Sequence, residues 1–356
     1  MKNERIDQLL KRMVEQNASD LHLTVGSPPM LRVDEVLIPE SWSPLKPEET
    51  KTLAYSLLSD GQISAFEQEK EMDMSFGVQG LGRFRVNVFL QRGSVAAAIR
   101  LLPDHIRNFE ECGLAPKIME EVCKRKKGLI LLTGATGSGK STTLASMVGW
   151  INAHRKCHVI TVEDPIEYVH HNQEAIINQR ELGTDTLTFT GALKHILRED
   201  PNVILIGEMR DLETIEAALN IAETGHLVLA TLHTSDAVQT VNRIVDVFPA
   251  YQQQQVRIQL SFVLLAILAQ QLVPAAGGTG RRLAVEVLVA TAAVRALVRE
   301  GKANQLYSVI QTSQREGMRT MNQSLAELYL KKQISYEEAV ARSHDPEEFL
   351  RLVHPA

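Results

Sequence analysis

The stretch Gly134-Ala135-Thr136-Gly137-Ser138-Gly139-Lys140-Ser141-Thr142 sets glycines, a lysine and hydroxyls at the spacing G-x-x-x-x-G-K-[ST]. Each residue type has a chemical reason. Glycines let backbone N–H groups turn inward around phosphate oxygens. Lys140 reaches the β- and γ-phosphates, and the Ser141 hydroxyl can ligate Mg²⁺. A helix starting at this point adds partial positive charge. Residues 134–142 are therefore expected to hold ATP or GTP.

Three further segments carry groups that phosphoryl transfer needs. Val159-Ile-Thr-Val-Glu163-Asp164-Pro165-Ile166-Glu167 delivers three carboxylates after an apolar run. One of them can orient or deprotonate the attacking water. Glu163 is the first choice for that base and Glu167 the second, with Asp164 beside the nucleotide. The plainer reading is that Glu163 and Asp164 cap the next element. Val203-Ile-Leu-Ile-Gly207-Glu208 is a Walker B pattern in which glycine takes the place of the usual aspartate. Glu208 is expected to hold Mg²⁺ through water or to polarise water itself. Leu229-Ala-Thr231-Leu-His233-Thr234 ends in a histidine that can sense the γ-phosphate or link it to a neighbouring subunit.

Such groups must be held at strand ends, where open α/β sheets bind ligands. Gly128–Thr133 reads as a buried strand and Ser141–Val148 as a helix, which gives the glycine loop its proper flanks. Strand patterns at Gly128–Leu132, Cys157–Val162, Val203–Ile206 and Leu227–Thr231 alternate with helical stretches. This is the signature of a doubly wound, largely parallel sheet. The run Leu260–Ala269 is too short to span a membrane and is expected to form a buried helix. Pro274–Arg281 reads as a loop, and a mostly helical tail follows from about Ala290. Lys124-Arg-Lys-Lys127 is the one dense basic run, and a solvated helix end accounts for it better than a polyanion site.

The first third has a different rhythm, that of a small α+β domain. Residues 3–17 place Ile6, Leu9, Leu10, Met13 and Val14 at helical spacing. Strands are expected at Asp20–Val25 and Leu31–Ile38, and helices at Pro47–Leu58 and Gln62–Lys70. In Gly82–Leu90, Phe84, Val86, Val88 and Leu90 share one strand face, while Arg83, Arg85 and Asn87 share the other. A turn at Gln91–Ser94 leads to a second strand ending near Arg100. The expected divisions are a domain at 1–103, a linker at 104–112 and the nucleotide-binding domain at 113–356.

A formal charge of −5 over 356 residues disfavours a general nucleic-acid binder. The three cysteines are scattered, which suits reduced thiols in the cytoplasm and not a zinc site. No apolar signal segment opens the chain.

Taken together, these segments resemble the bacterial secretion ATPase superfamily, whose P-loop, Asp box, Walker B and His box they match. The strings Gly207-Glu-Met-Arg-Asp-Leu-Glu-Thr-Ile-Glu-Ala-Ala-Leu219, Ala222-Glu-Thr-Gly-His-Leu-Val228, Ser19-Asp-Leu-His-Leu23 and Gly82-Arg-Phe-Arg-Val-Asn87 narrow the resemblance to the pilus-retraction branch, the PilT family. It covers nearly the whole chain. It implies a PAS-like N-terminal domain followed by a RecA-like ATPase domain, assembled as a homohexamer. It implies ATP with Mg²⁺, a peripheral place on an inner-membrane pilus platform protein, and pilin as the indirect cargo. It gives Arg83 and Arg85 a role toward the γ-phosphate, with Arg100 and Arg210 as further nucleotide contacts; a structural ion pair is the alternative for each. Two departures stand out. Glu35 replaces a glycine usual after Arg32-Val-Asp34. A motif tied to retraction, Ala-Ile-Arg-Asn-Leu, stands here as Ala293-Val-Arg295-Ala-Leu297. On a helix, Val294 and Leu297 would share a buried face and Arg295 would point to solvent. An accessory retraction paralogue, an assembly or type II secretion ATPase, a nucleic-acid translocase and a nucleotide-gated binding module are the alternatives. The assembly branch is disfavoured by the absence of a large extra N-terminal region and of paired cysteines.

Overall fold

The computed structural model describes residues 3–33, 36–103 and 105–354. Two compact units emerge. One takes in the chain up to His105 together with Glu167–Val169; the other comprises Ile106–Ile166 and the chain from His170 onward.

The first unit runs α1 (Glu4–Glu15), β1 (Asp20–Leu23), β2 (Met30–Val33), β3 (Val36–Pro39), α2 (Pro47–Tyr55), α3 (Asp60–Glu69), β4 (Glu71–Val78), β5 (Gly82–Gln91) and β6 (Ser94–Leu101). Asn3 caps α1 by accepting the Arg5 N–H. Ile6, Leu9, Leu10 and Met13 bury one helix face in a core shared with Phe84, Val86 and Val88 of β5. The antiparallel sheet has the order β3-β2-β1-β6-β5-β4. The single strand expected over Leu31–Ile38 is two strands, paired from Val33 opposite Val36. The two run antiparallel. The departure at Asp34 and Glu35 lies outside the described residues. Strand β4 had no clear signal, because α3 stops on Lys70 in a left-handed conformation (φ 68°) where glycine would have marked the break.

The second unit runs α4 (Pro116–Cys123), β7 (Gly128–Thr133), α5 (Lys140–His154), β8 (His158–Glu163), β9 (Ile176–Glu181), α6 (Phe189–Ile196), β10 (Val203–Ile206), α7 (Leu212–Glu223), β11 (Leu227–Leu232), α8 (Ala237–Asp246), α9 (Ala250–Val263), β12 (Leu264–Pro274), β13 (Arg281–Val289), α10 (Ala292–Arg299), α11 (Leu306–Thr312), α12 (Met321–Leu330), α13 (Tyr336–Arg342) and α14 (Pro346–Val353). Its sheet has the order β13-β12-β7-β11-β10-β8-β9, and only β13 runs antiparallel to its neighbour. Strands β7, β10 and β11 are buried along their whole length, hence their unbroken apolar sequence. Alternate side chains feed two cores. Leu129, Leu131, Val228 and Ala230 meet α7, α8 and α9. Ile130, Leu132, Leu227 and Leu229 meet α4 and α5. Lys124–Lys127 follow the C-terminus of α4 and are exposed.

The helix expected over Leu260–Ala269 ends at Val263, and Leu264 opens β12 instead. Periodicity cannot separate a buried strand from a buried helix in so apolar a run. Arg295 secures the junction. Its guanidinium donates to the carbonyls of Ser261 (2.6 Å), Phe262 (2.7 Å) and Ala290 (3.1 Å). Carbonyls left over at the end of α9 are thereby satisfied. Arg295 is thus a half-buried anchor, not the solvent-facing side chain expected from the sequence; Val294 and Val298 form the buried face, with Leu297 partly buried beside them. Arg295→Ala is expected to lower stability by about 1–3 kcal/mol, the range for carbonyls that lose a charged donor. Urea unfolding measures this, and an unchanged midpoint would mean that the three bonds contribute nothing.

Candidate active site

The glycine loop joins the end of β7 to the start of α5. Gly134 has φ +137°, and a Cβ there would lie 2.4 Å from the Gln270 carbonyl oxygen. Gly137 and Gly139 also have positive φ. The loop therefore needs glycine for conformation at all three and for space at the first. Lys140 is almost wholly buried, and its Nζ donates to the carbonyls of Gly134 (2.7 Å) and Ala135 (2.9 Å). The buried Ser138 hydroxyl has no hydrogen-bond partner among the described residues. A cleft of about 260 Å³ opens on this loop, lined also by Ser235, Gln270, Gln271, Leu272 and Arg342. A glycine loop and a buried hydroxyl lining a cleft at a helix N-terminus suit an oxyanion such as phosphate.

The other parallel strands of this unit bring their carboxyl ends to the same edge of the sheet. Glu163 closes β8, where its Oε1 accepts from Thr161 Oγ1 (2.6 Å) and Gln179 Nε2 (3.2 Å). The bond to Thr161 fixes the carboxylate along its own strand. Glu208 follows β10 and is gripped by Arg210 through Nε (2.7 Å) and Nη2 (2.8 Å), with His233 Nε2 3.2 Å away. The Arg210 hydrogen bond holds the Glu208 carboxyl below its ordinary range against the opposing effect of burial, and the His233 side chain adds to it. Asp164 is exposed, and its charge acts on Arg210. Glu208, Arg210 and His233 therefore form one cluster, in which His233 comes from a different segment of the sequence. Gly207 is glycine for a reason of space: a Cβ would approach the Glu163 Cα and the Val162 carbonyl at 3.2 Å. The Thr231 hydroxyl donates to the Gly207 carbonyl at 2.5 Å, tying the β10 end to β11.

The other expected residues lie in the first unit. Arg83 donates to Ser75 Oγ at 2.6 Å. Arg85 stands opposite Arg100, Arg100 opposite Asp20, and Asp20 opposite Arg32 in the sheet register. Arg100 donates to Asp20 at 2.8 Å, which is the structural ion pair considered above. Burial raises the Asp20 carboxyl, but hydrogen bonds from Ser19 and Arg100 outweigh it and hold the group below its usual value. Glu167 is exposed and belongs to this unit.

Sequence reasoning missed Gln270, Ser235 and Arg342. Only Gln270 had a usable signal, as a carboxamide interrupting an apolar run. Its Nε2 donates to Thr143 Oγ1 at 2.8 Å, which ties β12 to the first turn of α5. Glu286 was missed as well. It is 1% exposed on β13, and its Oε1 accepts the Ala237 N–H at 2.9 Å, anchoring the segment that carries His233 and Ser235. Burial pushes its carboxyl up to about 7. The folded chain therefore binds a proton between about pH 4.5 and 7 that the unfolded chain releases, so stability falls as pH rises through that window. Glu286→Gln keeps the acceptor oxygen and is expected to be more stable than the parent at pH 8 by about 1–3 kcal/mol, with little difference at pH 5. Thermal unfolding at the two pH values tests this; an equal offset at both would acquit Glu286.

Residues 1–341 match the family described as Type II/IV secretion system protein. The chain belongs to that family. It lies within the PilT branch. It is 46% identical to the type IV pilus retraction ATPase PilT of Pseudomonas aeruginosa, over 97% of this chain and 99% of that one. It is 43% identical to the type IV pilus ATPase PilU of the same organism, over 98% and 90%. A crystal structure of the pilus retraction motor PilT with bound ADP superposes with a TM-score of 0.90 at 52% identity, covering 96% of this chain and 97% of that one. The two-unit α/β architecture is therefore that of the family, a PAS-like domain followed by a RecA-like P-loop domain. Among the described residues no helix is long and apolar enough to cross a membrane.

Proposed function

We propose that this chain is an ATP-hydrolysing motor of type IV pilus retraction, working as a homohexameric ring on an inner-membrane platform protein and drawing pilin out of the fibre. The observation that carries the reading is the full-length likeness to PilT combined with a complete set of strand-end groups in the P-loop unit. ATP is the substrate. The loop from Gly134 to Gly139 supplies backbone donors, Lys140 the positive charge, and Thr142 a hydroxyl at the helix start. Ser141 and Glu208 are the groups that would hold Mg²⁺, one hydroxyl and one carboxylate, which leaves most positions to water and phosphate oxygens as that ion prefers. Bound there, Mg²⁺ would neutralise charge developing on the phosphates. Glu163, held by Thr161 and Gln179, takes a proton from the attacking water in this reading. His233, tied to Glu208, can report the state of the γ-phosphate to the rest of the chain. Arg83 and Arg85 are positively charged on a polar sheet face, and in a closed ring one of them stabilises transition-state charge, an effect worth about 10³–10⁵ in other P-loop enzymes.

An accessory retraction role is the second reading, favoured by the 43% identity to PilU. Ring action has its own test. Phosphate release per subunit is expected to rise with protein concentration, and added Lys140→Ala subunits should suppress it more than in proportion to their fraction. A monomer with full specific activity by light scattering and assay would refute the ring.

A further inference from the structure

The parallel sheet of the second unit has a second edge, opposite the P-loop, where β7, β8, β10 and β11 begin. The segments leading into those strands frame a cavity of about 880 Å³. Four cations line it, Lys124, Lys126, Arg155 and Lys156, against one carboxylate, Asp200. On a chain of formal charge −5 this concentration is local and not a consequence of composition.

The cations are not equivalent. Arg155 donates to the carbonyls of Cys123 (2.8 Å) and Arg125 (3.1 Å), which holds its guanidinium in the wall. Lys124 pairs with Glu120 at 3.4 Å. Lys126 and Lys156 are exposed and make no ion pair among the described residues. A flat wall stands beside them: the Trp150 and His154 rings of α5 stack with centroids 4.5 Å apart and planes 11° from parallel. Lys124 Nζ lies 5.7 Å over the Trp150 ring. Unpaired ammonium groups favour compact, multiply charged oxyanions, and an aromatic wall accepts the apolar or planar body attached to one. The basic run that the nucleotide chemistry leaves unused thus has a ligand class.

We propose that this cavity binds a phosphate-bearing ligand, its phosphate between Lys126 and Lys156 and its body against Trp150 and His154. A soluble phosphate compound and a phospholipid headgroup share this chemistry, and the test separates them.

The chain has two tryptophans, so Trp42→Phe leaves Trp150 as the reporter inside the cavity. A Lys140→Ala background weakens any contribution from the P-loop. Inorganic pyrophosphate is titrated against Trp150 emission. In parallel, vesicles of phosphatidylglycerol or of phosphatidylcholine are sedimented with the protein. A saturable pyrophosphate response assigns a soluble ligand. Retention by phosphatidylglycerol vesicles alone assigns a headgroup. Either response is expected to weaken at least tenfold in Lys126→Glu/Lys156→Glu, whose exposed positions leave the fold intact, and to fall in high salt. No saturable response to either probe, or a response undiminished by the charge reversal, overturns the proposal.

Discussion

Glu208→Ala is expected to bind ATP within a few-fold of the parent and to lose about 10²–10⁴ in turnover, the range for removing a group that handles water or its proton. The expectation rests on where the carboxylate sits. Glu208 follows β10, has its carboxyl held below the ordinary range by the Arg210 hydrogen bond, and lies 3.2 Å from His233 Nε2. Alanine would remove the carboxylate that follows that strand and release Arg210 and His233. Glu208→Gln separates charge from shape: it keeps the side-chain volume and one acceptor oxygen but abolishes the negative charge. If charge is what matters, both variants fall together. Equilibrium binding of labelled ATP and steady-state phosphate release on the same preparations decide it. Near-parental turnover in Glu208→Ala would take Glu208 out of the chemistry, and in Glu208→Gln alone would show that its negative charge is not what matters.

Lys140→Ala is expected to fail earlier, at binding. The ammonium is buried in the loop, 2.7 Å and 2.9 Å from two carbonyl oxygens. Its removal takes away the positive charge that meets the phosphates and the ammonium donor to both carbonyls, of which Ala135 keeps the Ser138 N–H. A charged hydrogen bond contributes about 1.5–3 kcal/mol, so ATP affinity should fall roughly 10- to 100-fold, with turnover falling as well. Unchanged affinity with lost turnover would mean that Lys140 acts only in the transition state.

The two variants draw on the part of the molecule most legible in the sequence. The P-loop, Glu163, Glu208 and His233 each follow an apolar run, and parallel strands buried on both faces produce such runs directly. What escaped the sequence is of another kind. Strand β12 and helix α9 share one apolar segment, and their boundary is set by Arg295 from thirty residues away. Strand β4 follows a helix stopped by Lys70 with no glycine to announce it. Glu286 and Gln270 sit in strands whose apolar neighbours hide them, and their importance lies in a backbone N–H and a hydroxyl that only tertiary structure brings near. Arg342 reaches the P-loop cleft from the helical tail, with nothing in its local sequence to distinguish it from other helix-end arginines. Local pattern carries the strand-end chemistry; long-range contacts carry its support.

The central claim is that ATP turnover by this chain withdraws pili. The most direct test removes the gene from its organism and scores surface piliation together with twitching, with the parental copy and Lys140→Ala each returned on a plasmid. The account predicts abundant surface pili without twitching in the deletion, restoration by the parental copy, and no restoration by Lys140→Ala. Bald cells would make the chain an assembly ATPase, and unchanged piliation and twitching would contradict a motor role in retraction.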